Sequence, residues 1–266
     1  MKISIITVCR NSEKSIAETF ESVLNQTSDD FEYIVIDGKS NDKTVEIIQR
    51  YSEKFREGGI GFRYITEVDA GIYDAMNKGI DLAEGEYLNF LNSDDRFYDE
   101  NVLANVSKKL SGTDADILCG AASLQFENGE NYIQIPHNVE KQLYGRMPFI
   151  HQSTFVKRKL MVENKFDLRY TLSADYDFFF KMLLGHKKFS IIDCILVTYS
   201  MDGASNKNKL LGRKEYKLIK KENMRKYNTS RKEKFICGYE SLYYAIRYRI
   251  SNCAVLKTLY IKIKGL

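Results

Sequence analysis

Cysteine and histidine are scarce in this sequence and are not grouped. The chain of 266 residues has three histidines and five cysteines, at Cys9, Cys119, Cys194, Cys237 and Cys253. The cysteines are odd in number, lie far apart and never take the CxxC spacing. This pattern argues against a disulfide framework and a zinc site. It predicts buried free thiols in a reducing compartment.

Long apolar runs and glycine-rich phosphate loops are also missing. No stretch approaches the roughly 18 apolar residues of a membrane span, and the apolar run near the N-terminus is too short for a secretory signal. The segment TVCRN at residues 7–11 stands where a GxGxxG loop would follow a first strand, and no Walker motif occurs. A dehydrogenase or a P-loop enzyme is therefore disfavoured, and we expect a cytoplasmic protein.

Charge is distributed unevenly along an otherwise ordinary globular composition. The formal net charge is +4, with 44% hydrophobic and 29% charged residues. Residues 207–266 hold 17 lysines and arginines against four glutamates, which gives +13, whereas the first 206 residues carry −9. We expect an acidic body with a basic tail that meets an anionic partner. Because no reading motif accompanies the charge, nucleic acid is not the expected partner.

Strand and helix patterns alternate along the first 110 residues. Runs rich in β-branched and aromatic residues predict strands at 2–8, 33–36, 62–66 and 87–91. Each run is followed by a helical pattern, for example Val45, Ile48, Tyr51 and Phe55 after the second strand. Four such units predict an α/β protein with a doubly wound, mainly parallel sheet.

After residue 112 this rhythm changes, although no linker interrupts the chain. Short strand-like segments at 117–122, 132–135, 153–156 and 189–195 accompany a helical pattern near 175–184. They predict a mixed-sheet extension that supplies a second wall to the same domain. Residues 204–266 are predicted to form a basic helical tail.

The tail carries an apolar stripe with helical spacing. Its members are Phe235, Tyr239, Leu242, Tyr243, Ile246 and Ile250, and lysines and arginines surround them. Two interpretations stay open. The stripe packs back onto the body, or it lies on an anionic membrane surface.

Acidic residues end three of the four predicted parallel strands. Asp37 ends the second strand, Asp69 follows the third, and Asp94 and Asp95 follow the fourth. The carboxyl ends of parallel strands share one edge of a sheet, where ligands bind. A single Asp pair is common in turns, but converging carboxylates in a crevice require a cation. We expect Mn²⁺ or Mg²⁺, with coordination positions left for a nucleotide diphosphate.

The ordered blocks of the first 110 residues resemble family 2 glycosyltransferases with the GT-A fold, the inverting class that builds bacterial surface polysaccharides. The blocks are SIIT (4–7), SVLNQT (22–27), DGKSNDKT (37–44), DAGIYDAMNKG (69–79), AEGEY (83–87) and LNSDD (91–95). Weaker similarity continues at HQSTF (151–155) and ADYDF (174–178). The resemblance implies a nucleotide-sugar-binding half at 1–110 and an acceptor-side half at 111–203.

Roles for donor-binding positions follow from this resemblance. Thr7 and Asp37 fall in the segments that hold the base and ribose of the donor, and Asp69, Asn77 and Lys78 in those that line its diphosphate and sugar. Two further positions, Gly38 and Cys9, stand where many relatives carry an acidic and an aromatic residue.

The acidic pair of the LNSDD block has two implied roles. Asp95 is the implied metal ligand, and Asp94 is implied at the ribose or at a metal-bound water. Asp42, in the DGKSNDKT block, either belongs to the nucleotide site or caps the following helix.

Inverting transfer also needs a base for the acceptor hydroxyl. Asp175 stands at the start of a predicted helix, where the family carries its base; the alternative is an acid that interacts with the helix dipole. Asp177 lies two residues further on and would point elsewhere. His151 either contacts the acceptor or sugar, or is structural.

The leading interpretation is therefore an inverting glycosyltransferase in polysaccharide or glycolipid biosynthesis. Its expected partners are a nucleotide-sugar donor and a saccharide acceptor, lipid-linked at the inner face of the membrane. Two other classes stay open: a nucleotidyltransferase that makes the activated sugar, and a non-catalytic nucleotide-sugar-binding module. The first predicts a glycine-rich basic N-terminal loop, which is absent; the second predicts loss of Asp94, Asp95 or Asp175, and all three are present.

Overall fold

A computed structural model describes residues 3–126, 129–201 and 209–252. The strands are β1 (Ile3–Cys9), β2 (Phe31–Asp37), β3 (Gly61–Thr66), β4 (Tyr87–Phe90), β5 (Arg96–Phe97), β6 (Ile117–Gln125), β7 (Asn131–Gln134), β8 (Thr154–Lys157) and β9 (Phe189–Ser200). The helices are α1 (Ile16–Leu24), α2 (Thr44–Glu57), α3 (Ile72–Leu82), α4 (Val102–Ser111), α5 (Val139–Leu143), α6 (Arg158–Glu163), α7 (Ala174–Leu184), α8 (Lys209–Lys226) and α9 (Arg231–Asn252), with a 3₁₀ turn at His151–Ser153.

The strands form one mixed sheet in the order β3-β2-β1-β4-β8-β6-β9-β5, with β7 paired to β6. β1 pairs in parallel with β2 and β4, and β2 with β3, as the strand and helix alternation predicts. β8 runs antiparallel to both β4 and β6 and so joins the two halves of the sheet. The predicted α/β fold with a mixed-sheet second half is confirmed.

Alternating side chains of β1 supply both faces of the sheet. Ile6 and Val8 pack with α3 and with the second half of the chain, including α7. Ile3 and Ile5 pack on the opposite face with α1, α2 and α4. Because side chains alternate between the two faces of each strand, helices pack on both sides of the sheet. The parallel direction of β1 to β4 places their carboxyl ends at one edge.

The C-terminal helices pack on the second half of the sheet domain. α8 lies against α7, and its Ile219 is fully buried. α9 contacts α5. No helix within the described ranges has both the length and the apolarity needed to cross a membrane.

The apolar stripe of the tail does not pack onto the body. Phe235 and Leu242 of α9 are 75% and 61% exposed, and Tyr239, Tyr243 and Ile246 are exposed as well. The side chain of Ile250 lies outside the described residues. Of the two interpretations left open by the sequence, burial against the body is wrong for the described part of the stripe.

The cysteines are free thiols, as predicted, at the four described positions. Cys9, Cys119 and Cys237 are buried and Cys194 is half-buried. Cys253 lies outside the described residues.

Candidate active site

A cavity of about 1260 Å³ opens at the carboxyl edge of the parallel strands. Its walls come from the loops after β1 and β4, the start of α3, the 3₁₀ turn, the start of α7, and α8. The described carboxylates that line it are Glu13, Asp42, Asp69, Asp94 and Asp175, against the cations Arg10 and Lys14. A negatively charged wall of this kind disfavours an anionic ligand unless a cation enters with it.

Asp69 is one of the predicted residues that reach this cavity. Its carboxylate accepts a hydrogen bond from Lys78 Nζ at 2.6 Å. A Cβ atom added to Gly38 would lie 2.8 Å from Asp69 Oδ2. The Asp69 carboxylate therefore occupies the space that a side chain at position 38 would need, which gives a physical reason for the glycine.

Lys78 and Asn77 are not among the residues that line the cavity, and their contact with the donor stays a prediction. Lys78 Nζ contacts Asp69, Glu67 and the Val68 carbonyl, and the Asp69 and Glu67 carboxylates raise the pKa of the lysine. Lys78 thus orients Asp69. The Asn77 side-chain amide pairs with the backbone of Phe166 in both directions, at 2.9 Å each, and joins α3 to the segment before α7.

Thr7 and Asp37 are fully buried and are not among the residues that line the cavity, and their contact with the nucleotide stays a prediction. Thr7 Oγ1 donates to the Leu91 carbonyl and lies 2.8 Å from Tyr33 Oη, which ties β1 to β2 and to the end of β4. Asp37 accepts hydrogen bonds from the Ser40 backbone N–H and hydroxyl. Both residues shape the cavity floor from beneath.

Cys9 lines the cavity and contacts the buried Asp37 carboxylate, with Sγ 3.7 Å from Oδ1. Burial, reinforced by the charge of Asp37, raises the pKa of this thiol. Cys9 is therefore a neutral wall residue.

Asp42 lines the cavity and also caps α2. Its carboxylate accepts hydrogen bonds from the Thr44 backbone N–H at 3.0 Å and from the Glu13 backbone N–H at 3.2 Å. The capping interpretation left open by the sequence accounts for these contacts.

The adjacent Asp94 and Asp95 have opposite environments. Asp94 lines the cavity. Asp95 is 1% exposed and accepts hydrogen bonds from the Ser200 backbone N–H at 2.9 Å and from Gln152 Nε2 at 2.8 Å. Burial, together with the neighbouring Asp94 charge, raises the pKa of Asp95 well above its usual value. These contacts connect β9 to the 3₁₀ turn through Asp95, and its role as metal ligand stays a prediction.

The oxygen donors beside Asp94 suit a hard divalent cation. Asn92 lines the cavity, and its buried Oδ1 has no hydrogen-bond partner among the residues described. A carboxylate and an unsatisfied amide oxygen are ligands that Mg²⁺ or Mn²⁺ accepts. No group of three or more His, Cys, Asp or Glu suited to a metal occurs within the described ranges. The protein would thus provide only part of a coordination shell, and phosphate oxygens or water the rest.

Asp175 reaches the cavity from the first turn of α7, where both of its carboxylate oxygens have partners. Tyr73 Oη donates to Oδ1 at 3.0 Å, and His151 Nδ1 lies 3.4 Å from Oδ2. Burial and the Asp175 charge raise the pKa of Tyr73 well above its usual value, so it remains a neutral donor. His151 also lines the cavity, and its Nε2 is buried without a partner in the described part of the chain.

Asp177, by contrast, points away from the cavity. It is 2% exposed and bonded to Asn223 of α8 and Lys181 of α7. Of the two acids of the ADYDF block, only Asp175 lines the cavity.

Three residues with a part in this site were not singled out from the sequence. Tyr73 lies within the DAGIYDAMNKG block, but the spacing gives no sign of its contact with Asp175. Tyr216 of α8 lines the cavity, and the neighbouring Glu215 accepts hydrogen bonds from the Thr171 and Leu172 backbone N–H groups. The only feature of the sequence that marks Glu215 is that it is an acidic residue within a strongly basic segment.

Comparison with known proteins identifies related sequences. A family model described as "Glycosyl transferase family 2" matches residues 4–184. A PGL/p-HBAD biosynthesis glycosyltransferase of Mycobacterium tuberculosis is 33% identical over 180 residues, covering 66% of this chain and 67% of the relative. An uncharacterised glycosyltransferase of Methanocaldococcus jannaschii is 28% identical over 236 residues, covering 85% and 77%.

Solved structures establish the same fold. Residues 1–349 of S. aureus TarS superpose with a TM-score of 0.71 at 20% identity, covering 95% of this chain and 74% of that one. The mannosyltransferase PcManGT from Pyrobaculum calidifontis, in complex with GDP-Man and Mn²⁺, gives 0.69 at 16% identity, covering 90% and 68%. Against a longer TarS chain, the match spans 37% of that chain. The arrangement of strands and helices is that of GT-A glycosyltransferases.

Proposed function

The chain belongs to glycosyl transferase family 2, and from that premise we propose that it transfers a sugar from a nucleotide diphosphate to an acceptor hydroxyl with inversion at the anomeric carbon. One observation carries this proposal: Asp94 and Asp175 line the same cavity from the two halves of the chain. Asp94 lies beside the unsatisfied amide oxygen of Asn92, and Asp175 is held by a hydrogen bond from Tyr73. A metal-dependent donor site and a base are the two parts that such a displacement requires.

We propose that Asp94 and Asn92 hold Mn²⁺ or Mg²⁺. The cation would neutralise the diphosphate as it leaves, and it would offset the excess of carboxylates on the cavity wall. Arg10 and Lys14 also line the cavity, where they can contact donor phosphates. Asp69, held in place by Lys78, would accept hydrogen bonds from hydroxyls of the donor.

Asp175 is the proposed base. Its carboxylate would take the proton of the acceptor hydroxyl while that oxygen bonds to the anomeric carbon and the bond from carbon to the diphosphate oxygen breaks. Attack opposite the leaving group inverts the anomeric configuration. The Tyr73 hydrogen bond fixes the rotamer of the base, and His151 borders the acceptor side.

The parts of the chain then have distinct proposed tasks. Residues 1–110 would bind the nucleotide sugar, residues 111–203 would supply the acceptor side, and residues 204–266 form the basic tail. Cavity-lining residues from all three segments support a shared site, because Asp94, Asp175 and Tyr216 lie on its wall together.

We further propose that the acceptor is a saccharide on a lipid carrier, used in polysaccharide or glycolipid assembly at the cytoplasmic face of a membrane. The basic tail supports this placement, since cationic segments bind anionic membrane surfaces. The Mycobacterium relative is named as a glycosyltransferase of PGL/p-HBAD biosynthesis.

A hydrolysis screen tests the donor part of the proposal. UDP-, GDP- and dTDP-sugars are incubated with the protein and Mn²⁺, and the released nucleotide diphosphate is measured. We expect release with one nucleotide class and its loss on chelation of the metal. Pyrophosphate-dependent turnover would instead favour a nucleotidyltransferase, and binding without turnover would favour a non-catalytic module.

The Asp175→Asn variant tests the base. The substitution keeps the shape but cannot accept the proton, so turnover should fall by about 10²-fold or more while donor affinity changes little. Asp81→Asn, at an exposed position of α3 outside the cavity, is the matched control. A fall of only a few-fold in Asp175→Asn would show that another group is the base, and product with retained anomeric configuration would refute inversion.

A further inference from the structure

The exposed apolar stripe of α9 lies largely on the side of that helix opposite its buried contacts with the body. Within the described ranges, Tyr239 is the one stripe residue with a cation–π contact to the body, with Lys141 Nζ 5.6 Å from its ring centroid. We define the outer face of α9 as the exposed residues Phe235, Tyr239, Leu242, Tyr243 and Ile246. They recur at intervals of three and four residues, so they form one continuous stripe on a helix. Such a stripe usually meets a partner, because exposed apolar patches of this kind are rare on monomers.

Contacts on the inner side fix the rotation of α9 about its axis. Cys237 is buried and its Sγ lies 3.5 Å from the Tyr144 carbonyl. Tyr244 Oη donates to Gln142 at 2.9 Å, and a Cβ atom on Gly145 would lie 2.5 Å from the Tyr244 ring. Turning the stripe inward would break these contacts. The outer face therefore faces solvent as a consequence of packing.

The acidic side chains of α9 face the body, whereas its basic side chains are exposed. Glu240 is buried near Lys141, and Glu233 is bonded to Ser230 and Tyr144, so both acids of the described helix face the body. The exposed cations of the helix are Arg231, Lys232, Lys234, Arg247 and Arg249. The outer face thus presents apolar side chains among cations, with both acids of the helix turned toward the body.

This combination favours an anionic lipid bilayer over a second copy of the chain. Two outer faces brought together would oppose cations of the same sign, which is unfavourable. A bilayer with acidic headgroups accepts the apolar stripe in its boundary region and the cations at its surface. Tyr239 and Tyr243 suit such a boundary, because the tyrosine ring is apolar and its hydroxyl can stay hydrated.

We infer that the outer face of α9 docks the enzyme on an anionic membrane. This inference rests on the proposed function in one respect, since docking would bring the cavity to a lipid-linked acceptor. The segment 253–266 adds three lysines and no acid by sequence and lies outside the described residues.

Vesicle co-sedimentation of the full chain tests the inference. Vesicles contain phosphatidylcholine alone or phosphatidylcholine with phosphatidylglycerol. We expect binding to the anionic vesicles only, weakened by added salt. The variant Leu242→Ser with Ile246→Ser should lower the partition coefficient by about tenfold, because each side chain loses apolar area that the bilayer would bury. Its matched control, Val162→Ser with Leu168→Ser, alters apolar residues of similar exposure on the body and should bind as the parent does.

A second pair separates the role of charge. Arg231→Gln with Lys232→Gln should weaken binding to anionic vesicles by roughly 25-fold, at about fivefold for each cation. Lys108→Gln with Lys109→Gln removes two exposed cations of α4 and should have little effect. Thermal unfolding checks that every variant is folded.

Three results would overturn the inference. The parent chain does not bind anionic vesicles; the α9 variants bind as the parent does, which would assign binding to another segment such as 253–266; or the parent dimerises through the outer face, as sedimentation would show, without binding vesicles. Donor hydrolysis is measured on the same samples. It depends on the cavity and not on α9, so failure of the proposed function is recognised separately from failure of docking.

Discussion

The opposite environments of Asp94 and Asp95 predict opposite consequences of removing each carboxylate. Asp95→Ala leaves the Ser200 backbone N–H and Gln152 Nε2 as buried donors without an acceptor. Each such donor costs about 1–3 kcal/mol, so the free energy of unfolding should fall by about 2–6 kcal/mol. This is a large share of the ~5–15 kcal/mol that stabilises a typical domain. Asp94→Ala changes a cavity wall and should alter stability by about 1 kcal/mol or less.

Donor binding should show the reverse order. Asp94→Ala removes the proposed carboxylate ligand of the metal, so Mn²⁺-dependent affinity for the nucleotide sugar should be abolished. Asp95→Ala should retain metal-dependent binding wherever the variant remains folded, because its carboxylate does not line the cavity. Urea unfolding followed by circular dichroism gives the stability, and calorimetric titration of donor with and without Mn²⁺ gives the affinity.

The reasoning fails if the two variants exchange behaviours. If Asp95→Ala is stable but its affinity for the nucleotide sugar no longer depends on Mn²⁺, Asp95 is the metal ligand. Unchanged Mn²⁺-dependent affinity in Asp94→Ala would remove Asp94 from the metal site. Asp95→Asn is a useful intermediate, since its amide oxygen can still accept one of the two hydrogen bonds and should recover part of the lost stability.

Two further predictions concern α3. Tyr73→Phe removes the hydroxyl that donates a hydrogen bond to Asp175. We expect kcat to fall by roughly tenfold with little change in KM for the nucleotide sugar, because the base loses its fixed orientation and the site keeps its shape. An unchanged kcat would show that Tyr73 does not position the base. In Gly79→Ala, the new Cβ would lie 2.5 Å from Ile6 Cγ2. Overpacking should destabilise this variant by about 1–3 kcal/mol in thermal unfolding; Gly112→Ala, whose nearest neighbour would be 3.7 Å away, is the control, and equal stability of the two would refute close packing of α3 on β1.

The parallel half of the sheet could be predicted because its signals are local. β1, β2 and β4 are fully buried runs rich in apolar residues, the edge strand β3 alternates β-forming and polar residues, and each strand precedes a helix or a short loop. The order of the second half depends on long-range pairing, in which β9 runs parallel to β6 and antiparallel to the two-residue β5. Nothing in a local pattern specifies such partners, and a strand of two residues has no periodicity to detect.

The edge of the sheet at which the candidate site lies could be predicted from the sequence. Which side chains at that edge line the cavity and which are buried could not. Asp69, Asp94, His151 and Asp175 all lie on the cavity wall. Asp37 follows the same strand-end rule and is nevertheless fully buried beneath it. The position of a residue in a strand indicates which edge it reaches, whereas its rotamer and its neighbours decide whether the carboxylate faces solvent.

Composition predicts the basic tail as one unit, but its two helices have different surroundings. Charge and spacing gave no reason to divide residues 204–266, yet α8 lies against the active site and α9 presents its stripe to solvent. A chain ending near residue 205 would lose Tyr216 from the cavity and the Glu215 contacts with the loop that precedes Asp175. We therefore expect truncation to abolish turnover even with a soluble acceptor, and to abolish vesicle binding as well. Leu242→Ser with Ile246→Ser should keep turnover with a soluble acceptor and lower only vesicle binding, by about tenfold, because α8 and its contacts stay in place. Assays of both chains with soluble acceptor check this, and full turnover of the truncated chain would show that α8 has no part in the site.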